Sequence, residues 1–177
     1  MVSFKEEWFS DASVRALVKL FNRTRRLDGR IVEVGCWEGR STCHLINTAW
    51  PYNVQAVDTW AGSPGEISRD LATTRSRNVY VTFEQNVAEL TRGNVTAHRE
   101  DWRSYFERDR TPIRFLHIDA THTYDEVADN IAAAVPLMVS GGIICGDDAH
   151  HPPVWDAAVD QLGSVNRDAS LWWKEIR

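Results

Sequence analysis

Residues 31–41, Ile31-Val32-Glu33-Val34-Gly35-Cys36-Trp37-Glu38-Gly39-Arg40-Ser41, carry an apolar strand straight into a glycine turn and then into a helix. This junction restricts the fold more than any other feature, because a buried strand that feeds a helix belongs to a layered α/β sheet. The rest of the chain repeats the alternation. Short apolar runs at residues 31–35, 54–57, 95–99, 113–119 and 143–145 read as strands, with helical spacing between most of them. The opening helix starts at Ser10 or Asp11, either of which can cap it, and sets Val14, Leu17, Val18 and Phe21 on one face. A helix over residues 41–48 stops before Pro51. Thr123-Tyr124-Asp125-Glu126 has capping-box form, and Val127, Ile131, Ala134 and Met138 continue a helix that Gly141-Gly142 ends. Residues 154–162 read as a helix and residues 171–176 as a last strand.

The predicted architecture is a doubly wound, mostly parallel α/β sheet with helices on both faces. It forms one domain over residues 1–177, with residues 1–29 as an N-terminal helical segment. After Leu162 only one convincing strand is legible, which predicts a shortened C-terminal hairpin. The sheet would then be six-stranded, or a second subunit of a homodimer would cover that edge.

Composition sets outer bounds. With 43% hydrophobic residues, 177 residues can close a substantial core. Ten Gly and six Pro exclude collagen-like and disordered classes. Twenty basic against 25 acidic residues give a net charge of −5, which argues against a dedicated nucleic-acid binder. Cys36, Cys43 and Cys145 have no framework spacing and read as reduced thiols. No apolar run approaches the roughly 20 residues that span a bilayer. Lys5, Glu6 and Glu7 interrupt any signal-peptide pattern at the start. The expectation is a soluble, cytoplasmic protein with no membrane partner.

The glycine turn has the form Glu-x-Gly-x-x-x-Gly rather than the Gly-x-Gly-x-x-Gly of a pyrophosphate site. Glycines here let the backbone approach a ligand in the crevice of a doubly wound sheet. Glu33, facing that crevice, would suit a cationic ligand. Asp58, at the end of the next strand, can accept both hydroxyls of a ribose. The plainer reading makes Glu33 and Asp58 solvated strand-end carboxylates, and the turn between them weighs against it.

Glu33-Val34-Gly35-Cys36-Trp37-Glu38-Gly39 with Asp58 resembles the first motif and the ribose-binding acid of the class I methyltransferases that use S-adenosylmethionine. The resemblance runs from about residue 30 to the C-terminus. Asp58-Thr59-Trp60-Ala61-Gly62, Phe115-Leu116-His117-Ile118-Asp119 and Gly141-Gly142-Ile143-Ile144-Cys145-Gly146-Asp147-Asp148 are similar to the small-molecule and sugar O-methyltransferases of the macrocin type. The resemblance implies a Rossmann-like methyltransferase fold. It implies a cofactor site drawn from Glu33, Gly35, Cys36, Trp37, Gly39, Ser41, Asp58, Thr59, Trp60, Asp101, Trp102 and Asp119. Asp101 follows the third strand, where the family approaches the adenine, and it can equally cap a helix that begins at Trp102. Trp37 and Trp60 either pack on the adenosyl group or belong to ordinary packing.

Asp119 ends the fourth strand and Asp147-Asp148 the fifth. Three convergent carboxylates repel one another, and a divalent cation removes the conflict, with Mg²⁺ or Mn²⁺ suited to oxygen donors. The alternative lets Asp119 cap a turn while the other two point apart. In the family's metal-dependent members, acidic residues stand at these three positions. Some relatives also place a carboxylate base where this chain has Thr121, which cannot serve. His122 is the candidate base, since catechol-type relatives have a basic lysine at this offset and imidazole titrates near neutral pH. The plainer reading makes it a polar turn residue. His150 and His151 are reserves, whereas His44, His98 and His117 read as structural.

The resemblance therefore implies methyl transfer from S-adenosylmethionine to a hydroxyl of a small molecule such as a sugar or phenol. Residues 59–92 overhang the strand ends as a lid or substrate segment. Arg69, Arg75 and Arg77 there either steer an anionic acceptor or are solvated. Trp155, Trp172 and Trp173 form a sugar-stacking wall, an oligomer contact or core. Rival readings are weaker. A nicotinamide dehydrogenase lacks its glycine spacing and a Tyr-x-x-x-Lys pair, and a nucleic-acid methyltransferase lacks its Asn/Asp-Pro-Pro-Tyr motif and a basic patch. A non-catalytic cofactor-binding domain would leave the acidic trio without a role.

Overall fold

The computed structural model describes residues 4–6, 8–74 and 78–177. Ser10 caps α1 (Asp11–Arg23) by accepting from the Ser13 amide. The chain then runs through β1 (Arg30–Val34), α2 (Arg40–Ala49), β2 (Val54–Asp58), α3 (Ile67–Thr74), α4 (Val79–Leu90) and β3 (Val95–Arg99). It continues through α5 (Trp102–Arg108), β4 (Ile113–Ile118), α6 (Tyr124–Ala134), β5 (Met138–Gly146), α7 (Pro152–Leu162), β6 (Asn166–Asp168) and β7 (Leu171–Glu175). The strands form one seven-stranded sheet in the order β3-β2-β1-β4-β5-β7-β6. The pairs among β1 to β5 are parallel, and β7 is antiparallel to both β5 and β6. Strand order reverses between β1 and β4, so a crevice opens there at the carboxyl ends.

Helices cover both faces, as expected. On one, Leu17, Phe21, Ile46, Phe83 and Val87 pack on Ile31, Phe115 and Ile143. On the other, Tyr105, Phe106, Ile131 and Val154 pack on Val32, Val34, Leu116 and Ile144. Each such fully buried side chain contributes about 1.5–3 kcal/mol by leaving water. Phe21 meets Phe115 edge-on at 5.4 Å and 86°. The buried stripe of α1 is Ser13, Ala16, Leu17, Leu20 and Phe21, rotated from the expected one, and Val14 and Val18 sit at its margin.

Three expectations need correction. The C-terminal edge carries a complete hairpin, because β6 pairs with β7 through Asn166, Arg167 and Asp168, and the sheet has seven strands rather than six. Met138 opens β5 instead of continuing α6. Pro136 has no amide hydrogen to extend the helix, and residues 135–137 tighten into a 3₁₀ turn. Gly141-Gly142 then lies inside β5, where the pairing with β4 shifts register between Met138 and Ile143. Finally, the segment expected as a lid, residues 59–92, contains the helix α3, although its Ile67 is 66% exposed.

Candidate functional site

The carboxyl ends of β1, β2, β4 and β5 open into a cavity of about 1230 Å³. Twelve of the sequence-derived site residues line it: Gly35, Cys36, Trp37, Ser41, Asp58, Thr59, Asp101, Trp102, Asp119, His122, Asp147 and Asp148. Glu33, Gly39 and Trp60 do not.

Asp58 organises the β1–β2 side of the cavity. Its Oδ2 accepts from the amides of Cys36 at 2.7 Å and Trp37 at 2.9 Å, and its Oδ1 accepts from the Trp60 amide at 2.6 Å. The end of β2 thereby clamps the turn after β1, in which Trp37 holds a left-handed φ of 47°. A carboxylate offers about four acceptor positions, so one stays available to a ligand hydroxyl. Burial raises the Asp58 carboxyl, and the three amides recover part of that. Replacing Asp58 by Ala is expected to cost about 1–3 kcal/mol of stability, because the partly buried amides lose their acceptor. A lower urea midpoint measures it, and Asp58→Asn, which keeps one acceptor oxygen, should restore part.

Glu33 departs from its expected role. Alternation along β1 sends its carboxylate to the α1 face, where it is fully buried and its Oε1 lies 3.0 Å from Nδ1 of the equally buried His117. Register makes the pair, since Glu33 stands beside His117 across β1 and β4. Burial lowers the His117 pKa, but the bond to Glu33 and its charge more than reverse that. Trp60 takes the second of its two readings, ordinary packing. It is 4% exposed, it packs on Tyr80 and Phe83, and its indole donates to the Trp37 carbonyl. Gly39 serves packing as well, since a Cβ there would come within 2.9 Å of the Phe83 ring.

Asp101 fulfils its helix role, capping α5 through the Arg103 amide at 2.8 Å while it lines the cavity. The Trp102 ring lies 4.1 Å under the Arg103 guanidinium. The Cys36 and Cys145 thiols are pushed far up by burial and Cys43 to about 12, so all three are unreactive.

Across the cavity, Asp119, His122 and Asp148 each offer a ligand atom within 4.8 Å of the other two. His122 Nε2 lies 2.9 Å from Asp148 Oδ2 and 3.6 Å from Asp119 Oδ1. Asp147 stands outside this group, and its Oδ1 accepts from the Ser170 hydroxyl. Burial and the Asp119 charge raise the Asp147 carboxyl. The sequence-derived trio is thus rearranged, because Asp148 at φ 58° turns back toward the cavity while Asp147 continues the line of β5. Burial would lower the pKa of His122, but the surrounding carboxylates of Asp119, Asp148 and Glu66 push it up to about 12. His150, 63% exposed, approaches Asp148 at 3.5 Å, and His151 lines the same rim.

Residues 32–149 match a family described as a methyltransferase domain. The chain belongs to that family. This methyltransferase matches no curated protein in sequence. Its fold is similar to that of the O-methyltransferase NovP, with 17% identity, a TM-score of 0.72, and 92% of this chain and 78% of that one covered. It is also similar to CalS11, a TDP-rhamnose 3′-O-methyltransferase of calicheamicin biosynthesis, at 15% identity and TM-score 0.64, covering 94% and 81%. A third likeness is the O-methyltransferase of Bacillus cereus in complex with SAH, at 14% identity and TM-score 0.61, covering 99% and 84%.

Several methyltransferase residues were not legible beforehand. Phe4, Glu6, Trp8 and Phe9 line the cavity from an N-terminal strap. The Trp37 indole donates to Glu6 at 3.2 Å, and Trp8 lies 5.5 Å from the Trp37 ring. Glu66, on the segment between β2 and α4, reaches His122. Neither strap nor loop shows periodicity, and only its aromatic density marks the strap in sequence. Arg69 lines the cavity and donates to the Ala61 carbonyl, whereas Arg75 and Arg77 lie outside the described residues. Trp155, Trp172 and Trp173 pack in the two cores, away from the cavity. Among the described residues, no helix is long and apolar enough to cross a membrane.

Proposed function

We propose that the chain transfers a methyl group from S-adenosylmethionine to a hydroxyl of a small molecule, with a divalent cation bound at the acceptor side. One observation carries the reading: a single cavity joins the Asp58 clamp to the Asp119, His122 and Asp148 cluster. The family and the three O-methyltransferases of like fold support it.

Asp58, with its remaining acceptor position, holds the ribose, and Trp102 and Asp101 flank the adenine. The donor set on the other side suits Mg²⁺ or Mn²⁺, which are commonly held by one or two carboxylates plus water or substrate oxygens. Asp119 and Asp148 would hold the ion, with Asp147 behind them. When bound, the cation supplies positive charge that lowers the pKa of the acceptor hydroxyl. With a cation on Asp119 and Asp148, their charge would no longer hold a proton on His122 Nε2, and the neutral imidazole would take the acceptor hydroxyl proton there. Asp119 and Asp148, holding the cation, would seat the oxygen in line with the methyl carbon; as the O–C bond forms the S–C bond breaks and S-adenosylhomocysteine leaves, and alignment of the two reactants accounts for most of the acceleration. The acceptor belongs to the sugar or phenol class.

Isothermal titration tests this with S-adenosylmethionine and S-adenosylhomocysteine, each with and without Mg²⁺, on wild type and Asp148→Ala. Wild type is expected to bind both adenosyl compounds and to show a separate Mg²⁺ heat. That heat should be lost in the variant while cofactor binding persists. Cofactor binding without any Mg²⁺ heat would remove the cation from the mechanism. Absence of cofactor binding in wild type would overturn the reading.

A further inference from the structure

We propose that Glu66 is a positioning residue for His122, delivered to the site by the segment between β2 and α4. The proposal deepens the methyl-transfer reading and rests on it. A single carboxylate oxygen, Oε1 of Glu66, lies 2.9 Å from the backbone nitrogen of His122 and 3.1 Å from its ring Nδ1. The backbone N–H donates to it. A carboxylate in contact with a ring nitrogen acts as acceptor, so Nδ1 carries the hydrogen of the second bond. The two contacts hold one residue at two points, which fixes both where the ring starts and which way it turns. Nε2, on the far edge of the ring, is then set toward Asp148 at 2.9 Å and Asp119 at 3.6 Å.

Glu66 is itself held by its own segment. Its amide donates to the Ser63 carbonyl, its carbonyl accepts from the Arg69 amide, and the Ser63 amide donates to the Ser68 hydroxyl. A Cβ on Gly62 would come within 2.4 Å of the Ser68 backbone, so this loop is closely folded on itself. The segment therefore carries Glu66 as a unit. Seating that unit over the strand ends and aiming His122 Nε2 toward the acceptor side thus become one event. A role confined to tying the segment down would leave the state of the His122 ring unchanged.

The test compares ¹⁵N-labelled wild type, Glu66→Ala and Glu66→Gln by proton–nitrogen correlation of the histidine rings, with His122 assigned through its loss in His122→Asn. Wild type is expected to show a protonated Nδ1 whose hydrogen exchanges slowly with solvent. Glu66→Gln keeps an acceptor oxygen and should retain that signal, whereas Glu66→Ala should lose it. An unchanged signal in Glu66→Ala, or equal loss in both variants, overturns the proposal. Titration of the same wild-type sample with S-adenosylhomocysteine separates the two readings. Absence of binding there defeats the methyl-transfer reading, while the ring spectra still decide the Glu66 contact. Circular dichroism of each variant identifies a failure to fold, in which case Glu66→Gln alone carries the comparison.

Discussion

Replacing Gly35 by Ala is expected to lower stability by about 2–6 kcal/mol, the sum of left-handed strain and overpacking. Gly35 has φ +84°, and a Cβ there would lie 1.9 Å from the Asp119 carbonyl oxygen and 2.7 Å from the Ala120 nitrogen. All the crowding atoms are backbone, and the sheet pins them, because the Asp119 amide donates to the Val34 carbonyl. No rotamer change relieves the clash. The melting temperature should fall by roughly 10 °C for a chain of this size. Gly93→Ala is the control, since Gly93 shares a positive φ of +71° but has open space around it. Thermal unfolding of the two variants checks the argument, and a fall in Gly35→Ala no larger than in Gly93→Ala would refute it. The position couples two strand ends.

His117→Leu is expected to cost about 3–5 kcal/mol, the effect of leaving a buried charge uncompensated. Glu33 and His117 are both fully buried, and the Oε2 of Glu33 and Nε2 of His117 have no hydrogen-bond partner among the described residues. Phe9 closes the pair off, with its ring edge-on to the imidazole at 5.6 Å. The double variant Glu33→Met/His117→Leu removes both charges and should recover most of the loss, since an apolar pair of similar volume fits such a site at little cost. Urea midpoints of the two single variants and the double close the cycle. If the double variant is as unstable as the sum of the singles, the two residues do not act as a pair.

How much of this could be read from the residues differs by element. Residues 95–99 are a strand as expected, and Asp101 and Thr123 cap the helices that follow them. These features depend on local chemistry, which a single sequence displays. The misses depend on partners. β6 is Asn166-Arg167-Asp168, polar throughout, and is a strand only because β7 lies beside it. α3 lacks an apolar stripe, and Leu71 is the residue it buries. Within the site, Asp58, Asp119 and Asp148 sit in the cavity because strand ends of a doubly wound sheet must converge there. Glu33 was assigned to the wrong side, although period-2 alternation already groups it with Ile31 rather than with Val32 and Val34. Its partner His117 is set by register across two strands far apart in sequence. Glu66 had no signal, being one acidic residue after the Gly62-Ser63-Pro64-Gly65 turn.

The placement of β1 has a consequence for how the molecule assembles. Ile31 pairs with Val54 on one side and with Phe115 on the other, across roughly eighty residues of intervening chain. Among the described residues, only the β6–β7 hairpin is a local pairing. Closing such loops consumes chain entropy before any contact returns it, so folding should take milliseconds to seconds rather than microseconds. The Asp58 clamp can form as soon as β1 meets β2. Asp119 and Asp148 must wait for the long closure that brings β4 and β5 alongside. A refolding chain should therefore acquire the Asp58 side of its cavity first and the Asp119 and Asp148 side last, in whichever slow step joins β1 to β4.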